Sequence, residues 1–172
     1  STSAERMAQG DMGGPFNSAD VCCPTPAGSA NAAAQGVADL AGGRGTAQSG
    51  AIWYDTCLPQ IPDAQIQTAA ETAPAMVMQL QTGAVDFVCT DLPTATAAAA
   101  NDSDLIVLNF AGTDGDFQFA SEEERAENVN IGMSVAKGST ELLAAINAVL
   151  DGMPADDFNT LMDQARAVQP EV

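Results

Sequence analysis

The segment LQTGAVDFVCTDLP at residues 80–93 contains the end of a helix, a turn, a strand and the start of another helix. Gly83 can end the first helix, because glycine readily adopts the left-handed backbone that commonly follows a helix. Residues 85–90 form a short apolar run, which is typical of a strand buried on both faces. A buried strand between two helices predicts an α/β fold with a mostly parallel sheet.

The same alternation of short apolar runs and helical stretches continues on both sides of this segment. Upstream, Thr72 is placed to cap a helix whose apolar face contains Met76, Val77 and Leu80. The remaining predicted elements are a weak strand at 64–69, an alanine-rich helix at 92–100, and strands at 105–110 and 130–136. Two stretches interrupt the alternation. Pro24 and Pro26 argue against a central strand near the start of the chain, and the acidic residues 112–128 predict a solvated loop.

Two amphipathic helices are predicted at the end of the sequence. Gly152 and Pro154 separate them, since neither residue favours a continuous helix. Each helix carries one apolar stripe, which predicts core packing. The stripes consist of Leu142, Leu143, Ile146, Val149, Leu150 and Met153 in the first helix, and of Phe158, Leu161, Met162, Ala165 and Val168 in the second.

The charge balance excludes several classes of partner. The 172 residues include 23 acidic and 5 basic side chains, and the formal net charge is -18. Nucleic-acid binding requires clustered Lys and Arg against phosphate, so no nucleic-acid partner is predicted. Docking on anionic lipid is disfavoured for the same reason. No membrane span or signal peptide is visible in the sequence, so any membrane association would need an anchor outside it.

The residue types also argue against catalysis and against a cofactor. There is no histidine, so the usual near-neutral base and commonest metal ligand are missing. No G-x-S-x-G, phosphate loop or metal-ligand spacing occurs, and adjacent Cys22 and Cys23 do not form a C-x-x-C pair. Cys89 lies in an apolar run, which suggests a buried thiol, and the sequence leaves a bridge between Cys57 and Cys89 open. No enzyme activity, cofactor or metal is predicted.

Four groups of short segments occur in an informative order. They are STSAER at 1–6 with DMGGPFN at 11–17, DLAG at 39–42 with AQSGAIWYD at 47–55, LQTGAVDF at 80–87 with TDLP at 90–93, and NIGMSVAKG at 130–138 with EL at 141–142 and IN at 146–147. In this order they resemble the family-3 extracellular solute-binding proteins of polar amino-acid ABC transporters. The order and spacing over residues 39–172 carry most of the resemblance.

The resemblance implies a two-lobed α/β fold of the periplasmic-binding-protein type II, in which a ligand is held between lobes that close about a hinge. Its second lobe would span residues 28–128. Residues 1–27 would provide part of the first lobe and the first hinge strand. Residues 129–172 would provide the second hinge strand and C-terminal helices packed on a partial first lobe.

The resemblance also assigns candidate ligand-binding residues. Arg6, in the segment that begins at Ser1, would bind the carboxylate of an amino acid with its planar guanidinium. The loop containing Gln48, Gly50 and Ala51 would open a helix and add backbone N–H donors. Asp91, at the carboxyl end of a parallel strand, would accept the ammonium, and Trp53 would form a wall of the pocket. Each residue also has a simpler interpretation: a surface arginine for Arg6, a helix cap for Asp91, and lobe packing for Trp53.

Some positions depart from the family pattern. Ala51 stands where the family has a threonine that hydrogen-bonds the ligand carboxylate. Met12 and Gly13 replace an aromatic–serine pair. The family's first lobe would lie mostly before Ser1, so a half-site in a truncated or altered form is expected.

The function implied by the resemblance is the capture of a polar amino acid for delivery to ABC transporter permease subunits. The location implied is extracytoplasmic, in the bacterial periplasm or as a cell-surface lipoprotein. One alternative is a lobe that binds no ligand and has a structural or interaction role. A second alternative is a dehydratase-like enzyme of the same fold.

Overall fold

The computed structural model describes residues 8–17 and 20–168, which fall into two compact units. We call residues 20–118 the sheet unit, and residues 8–17 with 119–168 the terminal unit. In chain order the strands are β1 (Asp11–Asn17), β2 (Val21–Pro26), β3 (Arg44–Ala47), β4 (Gln65–Ile66), β5 (Phe87–Asp91), β6 (Leu105–Asn109) and β7 (Ile131–Val135). The α-helices bounded within the described residues are α1 (Ala73–Gln81), α2 (Leu92–Asn101), α3 (Glu122–Val129), α4 (Thr140–Asp151) and α5 (Ala155–Ala167).

The sheet unit is built on five strands in the order β4-β3-β5-β2-β6. Strand β3 is parallel to both β4 and β5, whereas β2 is antiparallel to its neighbours β5 and β6. Four strands therefore run in one direction and β2 runs in the other. This confirms the predicted α/β class with a mostly parallel sheet, and it puts the carboxyl ends of β3, β5 and β6 at the same edge.

The helix and strand predicted around residues 80–93 are confirmed. Thr72 Oγ1 accepts a hydrogen bond from the backbone N–H of Ala75 at 3.2 Å, which caps α1. Gly83 follows the helix at φ +72°, a left-handed backbone that suits glycine. A buried cluster joins α1 to the sheet and consists of Ala70, Met76, Leu80, Val85, Val88 and Leu105.

The prediction that prolines exclude a central strand is wrong. Strand β2 lies between β5 and β6, and it contains both Pro24 and Pro26. Its ladder with β5 pairs Val21 with Asp91 and Cys22 with Thr90, so the prolines lie beyond that ladder. Thr25 Oγ1 instead donates to the carbonyl oxygen of Asp86 at 2.8 Å. A side-chain bond thus binds β2 to the start of β5 where proline cannot donate.

The prediction of a solvated loop at residues 112–128 is wrong in two places, although none of the described residues between β6 and α3 lies in a helix or strand. In the sheet unit, Asp116 and Phe117 are buried. In the terminal unit, α3 occupies Glu122–Val129, and Ser121 Oγ caps it by accepting from the N–H of Glu124 at 3.1 Å. The acidic residues of this segment suggested a solvated loop. Glutamate is nevertheless a good helix former, and Ser121 is a good N-cap, so the end of the segment forms a helix.

The terminal unit contains a two-stranded antiparallel sheet of β1 and β7. Gly13 lies close to α4: a Cβ at this position would be 3.1 Å from Ile146 Cγ2, and the backbone N–H of Gly14 donates to Asn147 Oδ1 at 3.1 Å. The predicted helices are present as α4 and α5. Core packing is wrong for Leu142 and Val149, which are 56% and 63% exposed, because the described part of this unit does not cover that side of α4.

An ion pair joins the starts of β3 and β5. Arg44 Nη2 and Nε donate to the Asp86 carboxylate at 2.6 and 3.2 Å, and the Arg44 backbone N–H donates at 2.8 Å. The side-chain hydrogen bonds from Arg44 are the largest cause that holds the pKa of Asp86 below its ordinary value of 3.8.

This pair predicts a pH-dependent contribution to stability. A carboxylate whose pKa is lowered on folding stabilises the protein above the unfolded pKa, and the stabilisation is lost as pH falls through the folded pKa. We therefore expect Asp86→Asn to destabilise the sheet unit at pH 7, and the difference from the wild type to shrink as the pH falls from about 4 through the lower folded pKa of Asp86. Urea unfolding from pH 7 to pH 2.5 measures the difference in the free energy of unfolding between the variant and the wild type, with Glu71→Gln as an exposed control. A difference that stays constant across the whole pH range would contradict the prediction.

Among the described residues, no helix has both the length and the apolar composition needed to cross a membrane.

Candidate ligand-binding site

The carboxyl ends of the parallel strands place several predicted site residues at one edge of the sheet unit. Ala47 of β3 is opposite Cys89 of β5, so Gln48 and Asp91 follow at the same end of neighbouring strands. Because β2 is antiparallel, it begins at this edge, with Val21 opposite Asp91. We call this end of the sheet, with Asp20, Gln48, Asp91 and Asn109, the carboxyl edge. Ligands of open α/β sheets bind in this position.

Asp91 ends β5 and caps α2. Its Oδ1 accepts from the backbone N–H of Thr94 at 2.9 Å, and its Oδ2 accepts from Thr94 Oγ1 at 3.1 Å. The simpler interpretation of this residue, a helix cap, is therefore observed. A carboxylate has about four lone-pair directions, and these two bonds use two of them. The partly exposed Asp91 keeps acceptor capacity and its negative charge for a ligand.

Asp20 is a second carboxylate at the carboxyl edge, and it was not among the residues predicted from the sequence. Its Oδ2 accepts from Asn109 Nδ2 at 2.9 Å, and its carbonyl oxygen accepts from the N–H of Leu92 at 3.0 Å. Asp20 is thus fixed between the end of β6 and the start of α2. Its position immediately before an apolar Val-Cys-Cys run was the available signal, but the two prolines argued against that strand.

The electrostatic effect of these carboxylates is visible at Cys22, the second residue of β2. Burial is the largest cause that raises the pKa of the Cys22 thiol far above its ordinary value, and Asp20 is the next. Cys23 and Asp91 raise it further, because a nearby negative charge disfavours the thiolate. Asp20 and Asp91 bring two carboxylates to the carboxyl edge, a charge that suits an ammonium or guanidinium group.

The loop at residues 48–51 is folded onto the neighbouring strand. Gln48 forms a parallel bridge with Ala70, and the N–H of Ser49 donates to the Ala70 carbonyl at 2.8 Å. Gly50 has φ +69°, and the N–H of Ala51 donates to the Gln48 carbonyl at 3.3 Å. Two backbone donors that the resemblance assigned to an anion are therefore used within the protein.

The segment after this loop differs from the α-helix expected there. Trp53–Cys57 is a π-helical turn, followed by a 3-10 turn at Leu58–Gln60. The Trp53 side chain is only 8% exposed, and Tyr54 OH donates to the Gln67 carbonyl at 3.0 Å. Burial of Trp53 agrees with its packing interpretation.

Two predicted ligand-binding residues, Ser1 and Arg6, lie outside the described residues. Arg44 cannot replace Arg6, since it pairs with Asp86 at the amino end of β5, the end of the sheet opposite the carboxyl edge. Among the described residues, Gln48 and Asp91 thus follow the same ends of neighbouring strands, Gly50 and Ala51 lie in the loop after Gln48, and Asp20 and Asn109 are added to the edge.

The fold is similar to that of solved amino-acid substrate-binding proteins. The chain is similar to an amino-acid ABC transporter substrate-binding protein from Streptococcus pneumoniae bound to L-arginine, at 20% identity and a TM-score of 0.72, over 96% of this chain and 64% of that one. It is similar to a mutant of the arginine-binding protein of T. maritima, at 20% identity and a TM-score of 0.70, over 97% of this chain and 66% of that one. A third similar structure is that of an ancestral amino-acid-binding protein, a precursor of cyclohexadienyl dehydratase. The identity is 20% and the TM-score 0.68, over 94% of this chain and 63% of that one.

These likenesses confirm the predicted periplasmic-binding-protein-like type II fold, and the resemblance found in the sequence is confirmed at the level of fold. The chain spans less than two thirds of the length of these solved chains. No protein-family model matches the sequence. No curated protein matches it either.

Proposed function

We propose that this chain is a substrate-binding component of an amino-acid ABC transporter and that its carboxyl edge binds the ammonium of a polar amino acid. The observation that carries the proposal is the position of Asp91. In a fold shared with amino-acid-binding proteins, it presents a carboxylate with spare acceptor capacity at the edge where such sheets bind ligands.

The chemistry of the edge favours ligands with an additional positive or neutral polar group. Asp20 adds a second negative charge next to Asp91, and Asn109 holds it in place at 2.9 Å. An acidic amino acid would bring its side-chain carboxylate near these charges, whereas a guanidinium would be attracted. Two similar solved structures were determined with arginine and with glutamine bound. We therefore place basic and amide amino acids ahead of acidic ones.

Within the sheet unit, Gln48 and Gly50 would contribute to binding the ligand carboxylate from the loop after β3. Trp53 would form part of the wall. In the proposed mechanism, a second lobe closes over the edge, and permease subunits outside the cytoplasm recognise the closed form. A carboxylate edge that supplies only the contacts to the ammonium is expected to bind an amino acid with an affinity on the order of millimolar.

A titration with matched ligands tests the proposal. Amide chemical shifts around residues 20, 91 and 109 are followed by NMR while L-arginine, N-acetyl-L-arginine or L-glutamate is added, because NMR detects weak binding. L-arginine is expected to shift these resonances and saturate. N-acetyl-L-arginine lacks the ammonium and L-glutamate adds a carboxylate, so both are expected to bind at least 10-fold more weakly. Equal binding of L-arginine and its N-acetyl derivative would contradict recognition of the ammonium by Asp91.

One observation favours a second candidate function, a lobe with a structural or interaction role. The hydroxyl expected at residue 51 is missing, and the N–H groups of Ser49 and Ala51 are already bonded within the protein. These features weaken the carboxylate half of the site. Absence of any saturable shift with L-arginine, L-glutamine and L-glutamate would favour this second function.

A further inference from the structure

Two buried thiols face each other across the centre of the sheet unit. The sulfur atoms of Cys23 on β2 and Cys89 on β5 are 3.5 Å apart, and both side chains are 0% exposed. Val21 is opposite Asp91 and Cys22 is opposite Thr90, so continuing this antiparallel register puts Cys23 opposite Cys89. Both residues are thiols in this structure.

We propose that Cys23 and Cys89 form a cross-strand disulfide when the chain folds in the presence of a disulfide oxidant. Directly opposed residues of antiparallel strands have Cα atoms about 4.5–5.5 Å apart, which lies within the usual Cα separation of disulfides, about 4.4–6.8 Å. The sulfurs must approach from 3.5 Å to a bond length of about 2.05 Å. Small side-chain rotations can provide this approach without a change in strand pairing. The inference does not depend on the proposed binding function.

The register also distinguishes this pair from the other cysteines. Successive residues of a strand point to opposite faces of the sheet, so Cys22 and Cys23 face away from each other. The Cys22 sulfur contacts the Asp20 carbonyl at 3.9 Å instead. Cys57 ends the π-helical turn and is near enough to contribute to the raised pKa of Cys89. Cys57 is therefore the competitor to be tested, and its pairing with Cys89 was the bridge left open by the sequence.

The chemistry requires an oxidant, and burial determines when it can act. One thiolate attacks a small disulfide such as oxidised glutathione and releases one reduced glutathione. The second thiolate then attacks the mixed disulfide, forms the protein S–S bond and releases the second reduced glutathione. Burial raises the pKa of the Cys89 thiol in the folded protein, and neither sulfur is accessible there. Exchange is consequently expected while the chain folds, and the completed bridge should resist reductants.

The test compares refolding under oxidising and reducing conditions. The reduced chain is unfolded in guanidinium, refolded with reduced and oxidised glutathione or with dithiothreitol, alkylated under denaturing conditions and weighed by mass spectrometry. Of its four cysteines, the wild type is expected to have two alkylated after refolding with glutathione and all four alkylated after refolding with dithiothreitol. Trypsin cleaves after Arg44, so the bridge should join the peptide 7–44 to the peptide 45–125.

Single substitutions identify the two sulfurs within those peptides. Cys57→Ala and Cys22→Ala are expected to form the bridge, whereas Cys23→Ala and Cys89→Ala should keep all remaining thiols reduced. A bridge that persists in Cys23→Ala, or four alkylated thiols in wild type refolded with glutathione, would overturn the proposal. As a second readout, the bridge closes a loop of 66 residues, and it should lower the unfolding equilibrium constant of the oxidised wild type on the order of 100-fold. No change in the urea midpoint would also count against it.

Discussion

Replacement of Phe87 by alanine is expected to lower the free energy of unfolding of the sheet unit by about 4 kcal/mol. Phe87 is 0% exposed and is opposite Gly45 in the parallel register of β3 and β5. A Cβ on Gly45 would lie 2.4 Å from Phe87 Cε2, and one on Gly43 would lie 2.8 Å from Phe87 Cε1. The ring therefore occupies the space that two glycines leave empty. Because backbone forms part of this space, the cavity left by alanine cannot easily collapse.

Urea unfolding followed by circular dichroism measures this loss. Met78→Ala provides a matched control, because Met78 lies in the same unit but is 60% exposed, and a change within about 0.5 kcal/mol is expected. Gly45→Ala alone should cost about 2 kcal/mol through overpacking. In the Phe87→Ala background, that cost should disappear, which gives a coupling energy of similar size. Additive effects of the two substitutions would show that the ring does not pack over Gly45.

Asp91→Asn is expected to weaken binding of L-arginine about 100-fold, or about 3 kcal/mol, while leaving the fold intact. Asparagine keeps the oxygen that accepts from the N–H of Thr94, and it is as good an N-cap as aspartate. What is lost is the negative charge that would pair with the ligand ammonium. The same NMR titration measures the affinity, and urea unfolding should place the variant within about 0.5 kcal/mol of the wild type.

Thr72→Ala separates capping from binding. Thr72 caps α1 as Asp91 caps α2, and its loss should cost about 1 kcal/mol of stability without affecting the ligand. Unchanged affinity in Asp91→Asn would remove Asp91 from the ligand site and leave it as a helix cap alone. A loss of affinity in Thr72→Ala equal to that in Asp91→Asn would show that stability, and not charge, controls binding.

The parallel part of the fold could be predicted because its signals are local. Thr72 and Gly83 mark the ends of α1, and the apolar run at residues 85–90 marks β5 within one or two positions. Caps, positive-φ glycines and buried runs act within a few residues of the element that they define. The position of Asp91 at the end of β5 followed from the same signals.

Strand β2 and the residues that depend on it could not be predicted in this way. Its prolines disfavour a strand locally, and only pairing with β6 and the Thr25 bond to Asp86 outweigh that preference. Asp20 and Asn109 meet only because β2 runs between β5 and β6, so the second carboxylate of the site was missed with the strand. Similarly, the apolar stripe of α4 predicted a helix correctly, but the exposure of Leu142 depends on how much chain covers it.

The order of the strands also sets the order of events during synthesis. Cys22 pairs with Asn109, so the first strand of the sheet unit finds one neighbour only after nearly the whole unit has left the ribosome. Pairing between such distant segments is slow, because a long loop must close before any contact forms. Until then, an apolar Val-Cys-Cys segment stays exposed to aggregation or to chaperones. We therefore expect the sheet unit to become resistant to proteases only after residue 109 has emerged from the ribosome.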